Sequence, residues 1–271
     1  MSDTFEQRFG GTRRLYGEQG LDALKRAHVC VVGIGGVGSW VVEALARSAV
    51  GEITLIDLDD LCVTNTNRQL HALTDTIGQS KVAVMAERVR GINPDCRCHQ
   101  VEELVTEENA RSLFDQPFDY VVDAIDDVRA KAAMIASCRR RKLPIITIGG
   151  AGGQIDPTQI QVADLSRTRH DPLAAKLRSH LRRFYHFSTN PKRRFDVPCV
   201  FSTEQLRYPQ PDGSVCALKT VAESGQGMRL DCNDGFGAST CVTATFGFVA
   251  VARVIDKLLE RAERMPPVAG L

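Results

Sequence analysis

The stretch HVCVVGIGGVGSW, residues 28–40, constrains the fold more than any other part of the chain. A short run rich in β-branched residues ends at Gly33, and an alanine-rich segment opened by Ser39 follows over 39–49 with helical character. ITLIDLDD at 53–60 then reads as a second strand with its carboxylates at the C-terminal end. Strand, glycine turn, helix and strand in that order make a βαβ unit. Gly33 permits the tight turn, Gly35 lets backbone approach a phosphate, and Gly38 lets the helix lie close to the strands. The helix N-terminus adds N–H groups and partial positive charge.

The alternation continues downstream. SKVAVMAERVRGINP (80–94) reads as a helix stopped by Gly91 and Pro94, DYVVDAIDD (119–127) as a strand, AKAAMIASCRRRK (130–142) as a helix and PIITIGG (144–150) as a strand. The expected fold is therefore α/β: a doubly wound, mostly parallel sheet with a Rossmann-like nucleotide site at the carboxyl ends of its strands. After residue 150 the pattern weakens. GGQIDPTQIQVADL (152–165) reads as a hairpin or strand pair, a helix begins near Asp171-Pro172, and 186–237 is loop-rich with a GSV turn. The whole chain, 1–271, reads as a single domain: a nucleotide-binding core over 27–165, a loop-rich substrate-contacting elaboration over 166–237, and a C-terminal helix over 238–271.

The glycine turn alone leaves two nucleotides in contention. A nicotinamide site is satisfied by the turn and by Asp57, which sits near the usual distance for a ribose-binding acid. Yet DLDDLCVTNTNRQ (57–69) brings Arg68 close behind, Lys81 opens the next helix, and Asp126 ends a strand. Hydride transfer creates no charge on a pyrophosphate and has no use for these groups. Cleavage between the α- and β-phosphates of a triphosphate does: Arg68, Lys81 and a magnesium ion on Asp126 would neutralise charge as it develops. Taken singly, Arg68 and Lys81 fit a surface ion pair, and Asp126 a cap for helix 130–142.

The set GIGGVGS, DLDD…TNTNRQ, Lys81 and DAIDD resembles the adenylating enzymes related to ubiquitin-activating enzyme, over roughly residues 20–150. That resemblance implies ATP and Mg²⁺ as cofactors. It assigns Gly33, Gly35, Gly36, Gly38, Asp57 and Asp59 to nucleotide binding, Asn65, Arg68 and Lys81 to the phosphates, and Asp126 to the metal. Two departures stand out. Asp127 occupies the family's asparagine position, and the arginine that a partner subunit's N-terminal segment supplies falls at Gly11, leaving Arg8, Arg13 or Arg14 as substitutes.

Relatives that activate small ubiquitin-like or sulfur-carrier proteins carry paired C-x-x-C zinc motifs. None occurs here. The nine cysteines are scattered; Cys96-Arg97-Cys98 has the wrong spacing, and Cys199, Cys216 and Cys232 read as packed or partly exposed thiols. Their disorderly spacing and the lack of a secretory signal fit a reducing cytoplasm. Residues 238–259 are the nearest approach to a membrane span, but threonines and Arg253 interrupt them.

Lysine and arginine total 34 against 33 acids, a balance that hides a local excess. PLAAKLRSHLRRFYHFSTNPKRRF (172–195) carries Lys176, Arg178, Arg182, Arg183, Lys192, Arg193 and Arg194 with no acid, interleaved with Phe184, Tyr185, Phe187 and Phe195. Basic side chains on phosphates and rings under bases suit a folded RNA. The competing reading is an amphipathic helix with Leu173, Leu177, Leu181 and Phe184 facing the core.

At full length the sequence resembles the tRNA threonylcarbamoyladenosine dehydratases, a branch of the same superfamily. The residues that carry this are RFGGTRRLYG (8–17), DDLCVTNTNRQLHAL (59–73), TIGGAGGQIDPTQIQVADL (147–165), DPLAAKLR (171–178), VFSTE (200–204), YPQPDGSVCA (208–217) and GFGASTCVTATFGFVAV (235–251). It implies ATP-dependent cyclisation of the threonylcarbamoyl group on a tRNA adenosine, a homodimer, and a sulfur-transfer protein as a candidate partner, with no DNA substrate.

Overall fold

A computed structural model describes residues 3–210, 212–217 and 236–264. Seven strands form one sheet in the order β3-β2-β1-β4-β5-β7-β6. These are β1 (His28–Val32), β2 (Glu52–Ile56), β3 (Arg97–Val101), β4 (Tyr120–Asp123), β5 (Ile145–Ile148), β6 (Ile160–Asp164) and β7 (Pro198–Ser202). Every pairing is parallel except β6 with β7. The expected doubly wound α/β sheet is present. β1, β4 and β5 are buried almost throughout and mostly apolar, as strands covered on both sides are.

Helices cover the two faces. On one side α2 (Gly38–Arg47), α3 (Lys81–Ile92) and the long α7 (Thr240–Arg264) bury Val41, Leu45, Met85, Phe246 and Val254 against β1 and β2. On the other, α4 (Ala110–Leu113), α5 (Val128–Arg141) and α6 (Pro172–Tyr185) bury Phe114, Met134, Ile135, Leu177 and Leu181. Strand order reverses between β1 and β4, which opens a crevice at their carboxyl ends. No helix among the described residues is long and apolar enough to cross a membrane.

Several sequence expectations are corrected. Ser39 does not open α2: the cap position is Val37, and Ser39 is buried with its Oγ accepting from the Leu70 N–H at 3.3 Å. Gly91 lies within α3, which closes at Asn93. Residues 152–165 form no hairpin; they hold a 3₁₀ turn and β6, whose antiparallel partner β7 lies more than thirty residues on. The real hairpin is short, β8 (Tyr208–Pro209) with β9 (Val215–Cys216) around Gly213. An N-terminal helix, α1 (Asp3–Arg26), broken at Gly17 where φ is +74°, and the edge strand β3 add to the elements the sequence pattern marks.

Candidate nucleotide site and basic face

The glycine turn is held from both neighbouring strands. Gly33 has φ +85°, and a β-carbon there would press on Ala124 and Ile125 beyond β4. A β-carbon on Gly38 would lie 1.7 Å from the Gly33 carbonyl oxygen, so α2 can start this close to the turn only with glycine. No side chain caps α2, which leaves its N-terminal dipole facing the crevice.

From β2, Asp57 reaches across to the turn: its Oδ2 accepts from the Ile34 N–H at 2.6 Å and its Oδ1 from the Asp59 N–H at 2.9 Å. The acid is thereby fixed beside the turn. Asp59 in turn pairs with Lys81, Nζ to Oδ2 2.7 Å, while the Lys81 N–H donates to the Asp59 carbonyl at 3.1 Å. The Lys81 side chain is only 7% exposed, so its ammonium is aimed rather than free to wander.

Residues 62–69 form a tight loop because Asn65, buried, accepts the Cys62 N–H on its Oδ1 at 3.0 Å. The loop delivers Arg68 onto the turn: a β-carbon on Gly36 would meet the Arg68 side-chain methylenes at 3.1 and 3.2 Å. Its guanidinium donates to the Thr64 carbonyl and Asn67 Oδ1, and the Trp40 indole N–H donates to the Arg68 carbonyl at 3.0 Å. The same loop is tied to the segment leading into α7 by Asn67 Nδ2, which donates to the Ala238 carbonyl at 3.2 Å.

Asp126 lies in the segment between β4 and α5, one residue beyond the Ile125 that packs on Gly33. It is exposed, with no hydrogen bond or ion pair among the described residues. The capping role belongs instead to Asp127, whose Oδ1 accepts from the Ala130 N–H at 2.7 Å. The segment is anchored beneath by a buried set: Lys131 Nζ donates to Asp123 Oδ1 (3.0 Å) and to the Ile125 carbonyl (2.8 Å), and Thr147 donates to Asp123 Oδ2 (2.6 Å). A free carboxylate on a braced loop beside an anion-binding turn is the oxygen donor a hard divalent cation takes.

Two residues escaped sequence reasoning. Gln69 is buried with its Oε1 unpartnered, and its Nε2 lies 3.8 Å from where a β-carbon on Gly35 would be. His71 is buried with neither ring nitrogen bonded; burial first, then the Lys81 and Arg88 charges, lower its pKa to about 4. Polar identity gave a signal for both, but nothing in the sequence reveals that they are sealed in. Among thiols, Cys199 is buried and pushed up by that burial, and Cys96 likewise to about 12. Cys62 is exposed and lowered by hydrogen bonds with Thr64. Cys232 lies outside the described residues.

The basic segment divides. Lys176, Arg183, Lys192, Arg193 and Arg194 are exposed. Arg178 turns inward to the Thr168 hydroxyl, and Arg182 donates to the Ser188 carbonyl at 3.3 Å and covers the Phe195 ring. These two are therefore structural neighbours of the core rather than free phosphate contacts. Phe195 is buried and packs edge-on against Phe187, and Tyr185 donates to Glu107; Phe184 is 54% exposed, though its ring also packs on His180 and lies under the Arg183 guanidinium. The amphipathic reading holds for Leu177 and Leu181 and fails for Phe184. Arg129, Lys176, Arg183 and Phe184 line a shallow groove together with Val128, the first residue of α5.

Of the N-terminal arginines, Arg8 donates to the Gly91 and Ile92 carbonyls and Arg13 pairs with Glu6 and Glu18. Arg14 is exposed, with no partner among the described residues.

A parallel sheet with a glycine turn at its switch point, an acid holding that turn and an uncapped helix behind it defines a Rossmann-like nucleotide-binding protein. The ThiF family matches residues 11–268, and the chain belongs to it. It is 59% identical to the tRNA threonylcarbamoyladenosine dehydratase of Escherichia coli K12, over 97% of this chain and 98% of that protein. The Haemophilus influenzae protein of the same name is 56% identical over 96% of each. The solved structure of the E. coli enzyme in complex with ATP superposes with a TM-score of 0.85 at 54% identity, covering 98% of this chain and 99% of that one. The complex with AMP gives 0.86 at 55% identity, covering 97% and 98%.

Proposed function

We propose that the chain is an ATP-dependent tRNA threonylcarbamoyladenosine dehydratase. The threonyl carboxylate of the modified adenosine attacks the α-phosphate of ATP and pyrophosphate leaves. A nucleophile within the same modification then attacks the acyl adenylate, a ring closes, and AMP departs. The net change in the nucleoside is loss of one water. Because the nucleophile belongs to the substrate, no thiol of the chain is required, and ring closure needs orientation more than chemistry.

The observation that carries this reading is Arg68 laid across Gly36 with Lys81 fixed nearby, cations that hydride transfer would leave idle. Asp57 and Asp59 hold the nucleotide and the turn, and Asn65 shapes the loop that presents Arg68. Arg68 and Lys81 take up charge on the departing pyrophosphate, already oriented before it develops. Magnesium on Asp126 would add neutralising charge to the same phosphates.

The exposed cations Lys176, Arg183, Lys192, Arg193 and Arg194 serve as tRNA phosphate contacts, with Phe184 as a stacking surface. Lys176, Arg183 and Phe184 share a groove with Val128 and Arg129 at the start of α5, two residues past Asp126, which favours delivery of the modified base from that side. The tRNA-contacting elaboration expected over 166–237 is therefore narrower: β7 and the inner face of α6 belong to the core sheet and its cover, and the exposed basic residues of 176–194 carry the tRNA contacts, all within one domain. The enzyme works as a cytoplasmic homodimer in which Arg14 is the N-terminal arginine left available to a partner's site.

The test is incubation of the protein with ATP, magnesium and threonylcarbamoylated tRNA, followed by mass spectrometry of the nucleosides. Conversion to a product lighter by one water, stoichiometric with AMP, supports the assignment. AMP formation without a change in the nucleoside contradicts it.

A further inference from the structure

At the amino ends of the strands, far from the glycine turn, three metal-ligating side chains converge. His28 opens β1, Glu52 opens β2 directly opposite it, and His99 lies on β3 opposite Thr54. This register places all of them on one face of the sheet, because residues two apart on a strand share a face. His99 Nε2 lies 2.8 Å from Glu52 Oε1, and His28 Nδ1 lies 3.7 Å from the same oxygen. The three candidate ligand atoms all lie within 4.8 Å of one another, and no other such group occurs among the described residues.

The surroundings supply what a bound ion needs. Thr54 Oγ1 lies 2.8 Å from His28 Nε2, and a proton donated along that contact leaves Nδ1 with its lone pair toward Glu52. Arg97 pairs with Glu52 Oε2 and leaves Oε1 for the histidines. The His28 ring is also fixed by edge-on packing on Phe118, 4.8 Å between centroids. Tetrahedral coordination at ordinary zinc bond lengths needs ligand atoms about 3.3 Å apart, a value the 2.8 and 3.7 Å separations bracket. His99, half-exposed on the edge strand, is free to make the small outward movement. A fourth position opens on a cavity of about 620 Å³ walled by Val101, Leu113 and Phe118.

We propose that His28, Glu52 and His99 form a second, separate site that binds a zinc-class divalent transition-metal ion. Two imidazoles and one carboxylate favour zinc, cobalt or nickel over magnesium, so the site does not compete for the ion at the phosphates. The strand separates the two by about 13 Å, the rise of β1 from His28 to Val32. A bound ion would pin edge strand β3 to β2 and β1.

The experiment uses the full chain, freed of metal by chelation, with accessible thiols alkylated, titrated with Co²⁺ and then Zn²⁺. Wild type should take up one equivalent of Co²⁺ with visible d–d bands and no sulfur-to-cobalt charge transfer. Zn²⁺ should displace it and raise Tm. His99→Gln, which alters a half-exposed residue, should lose both the bands and the Tm shift while keeping AMP formation, and His28→Gln should do the same. Equal uptake in wild type and both variants, charge-transfer bands from sulfur, or no bands at all would overturn the proposal.

Discussion

The carboxyl edge of the sheet and the segment 172–195 both concentrate arginine and lysine, but they hold them differently. At the edge, Lys81 is nearly buried against Asp59 and Arg68 is bonded to its own loop across the glycine turn. In the basic segment, Lys192, Arg193 and Arg194 stand in solvent, while Arg178 and Arg182 have turned to the core. Charges that stabilise a transition state must be oriented before it forms. Charges that attract a polyanion act through counterion release and need no fixed geometry. Under the proposed function, one density of basic residues would serve two kinds of chemistry, distinguished by what each side chain is tied to.

The sharpest way to break that contrast is Arg68→Ala. AMP formation should fall on the order of 10²- to 10³-fold in single-turnover assays while the tRNA dissociation constant stays nearly unchanged. Loss of both together would mean that the edge is part of the RNA-binding surface.

His71 probes how rigid the edge is. Its folded pKa, about 4, lies below the unfolded value of 6.5, so the unfolded chain takes up the proton first. The stability tied to neutral His71 is fully present above pH 6.5 and is lost as pH falls toward 4, on the order of 3 kcal/mol in total. Denaturant melts of wild type should show that slope, and His71→Gln should flatten it. An unchanged slope would show that the pocket opens to water.

Replacing Lys192, Arg193 and Arg194 together by alanine should reduce the slope of log affinity against log salt by roughly 2 to 3 and weaken tRNA binding about tenfold. AMP formation at saturating tRNA should persist. The smallest effect belongs to Asp127→Ala, a cap loss of about 1 kcal/mol seen as a lower Tm with adenylation largely kept, in contrast to neighbouring Asp126→Asn.

Legibility differed in the same way between the two regions. The glycine turn, Asp57 and the alternation of strands and helices could be read because each is local: one turn conformation, one periodicity, one fixed distance along the chain. Asp127 could not be separated from Asp126 until the first turn of α5 showed which carboxylate was occupied. β3 was missed because RCHQV is an edge strand with polar residues on its open side, and α1 because Gly10, Gly11, Gly17 and Gly20 obscure the helical pattern. β6 looked like half of a hairpin because its partner is distant in sequence. In the basic segment, composition located the charges but could not say which point outward; that depends on packing of α6 against α5, which buries Leu177 and Leu181.

The position of the triphosphate decides the proposed chemistry. A crystal structure of the protein with magnesium and a non-hydrolysable ATP analogue should show the phosphates on the glycine turn, with Arg68 and Lys81 on their oxygens and the ion on Asp126. Phosphates bound away from Arg68 and Lys81, or an ion held without Asp126, would contradict it.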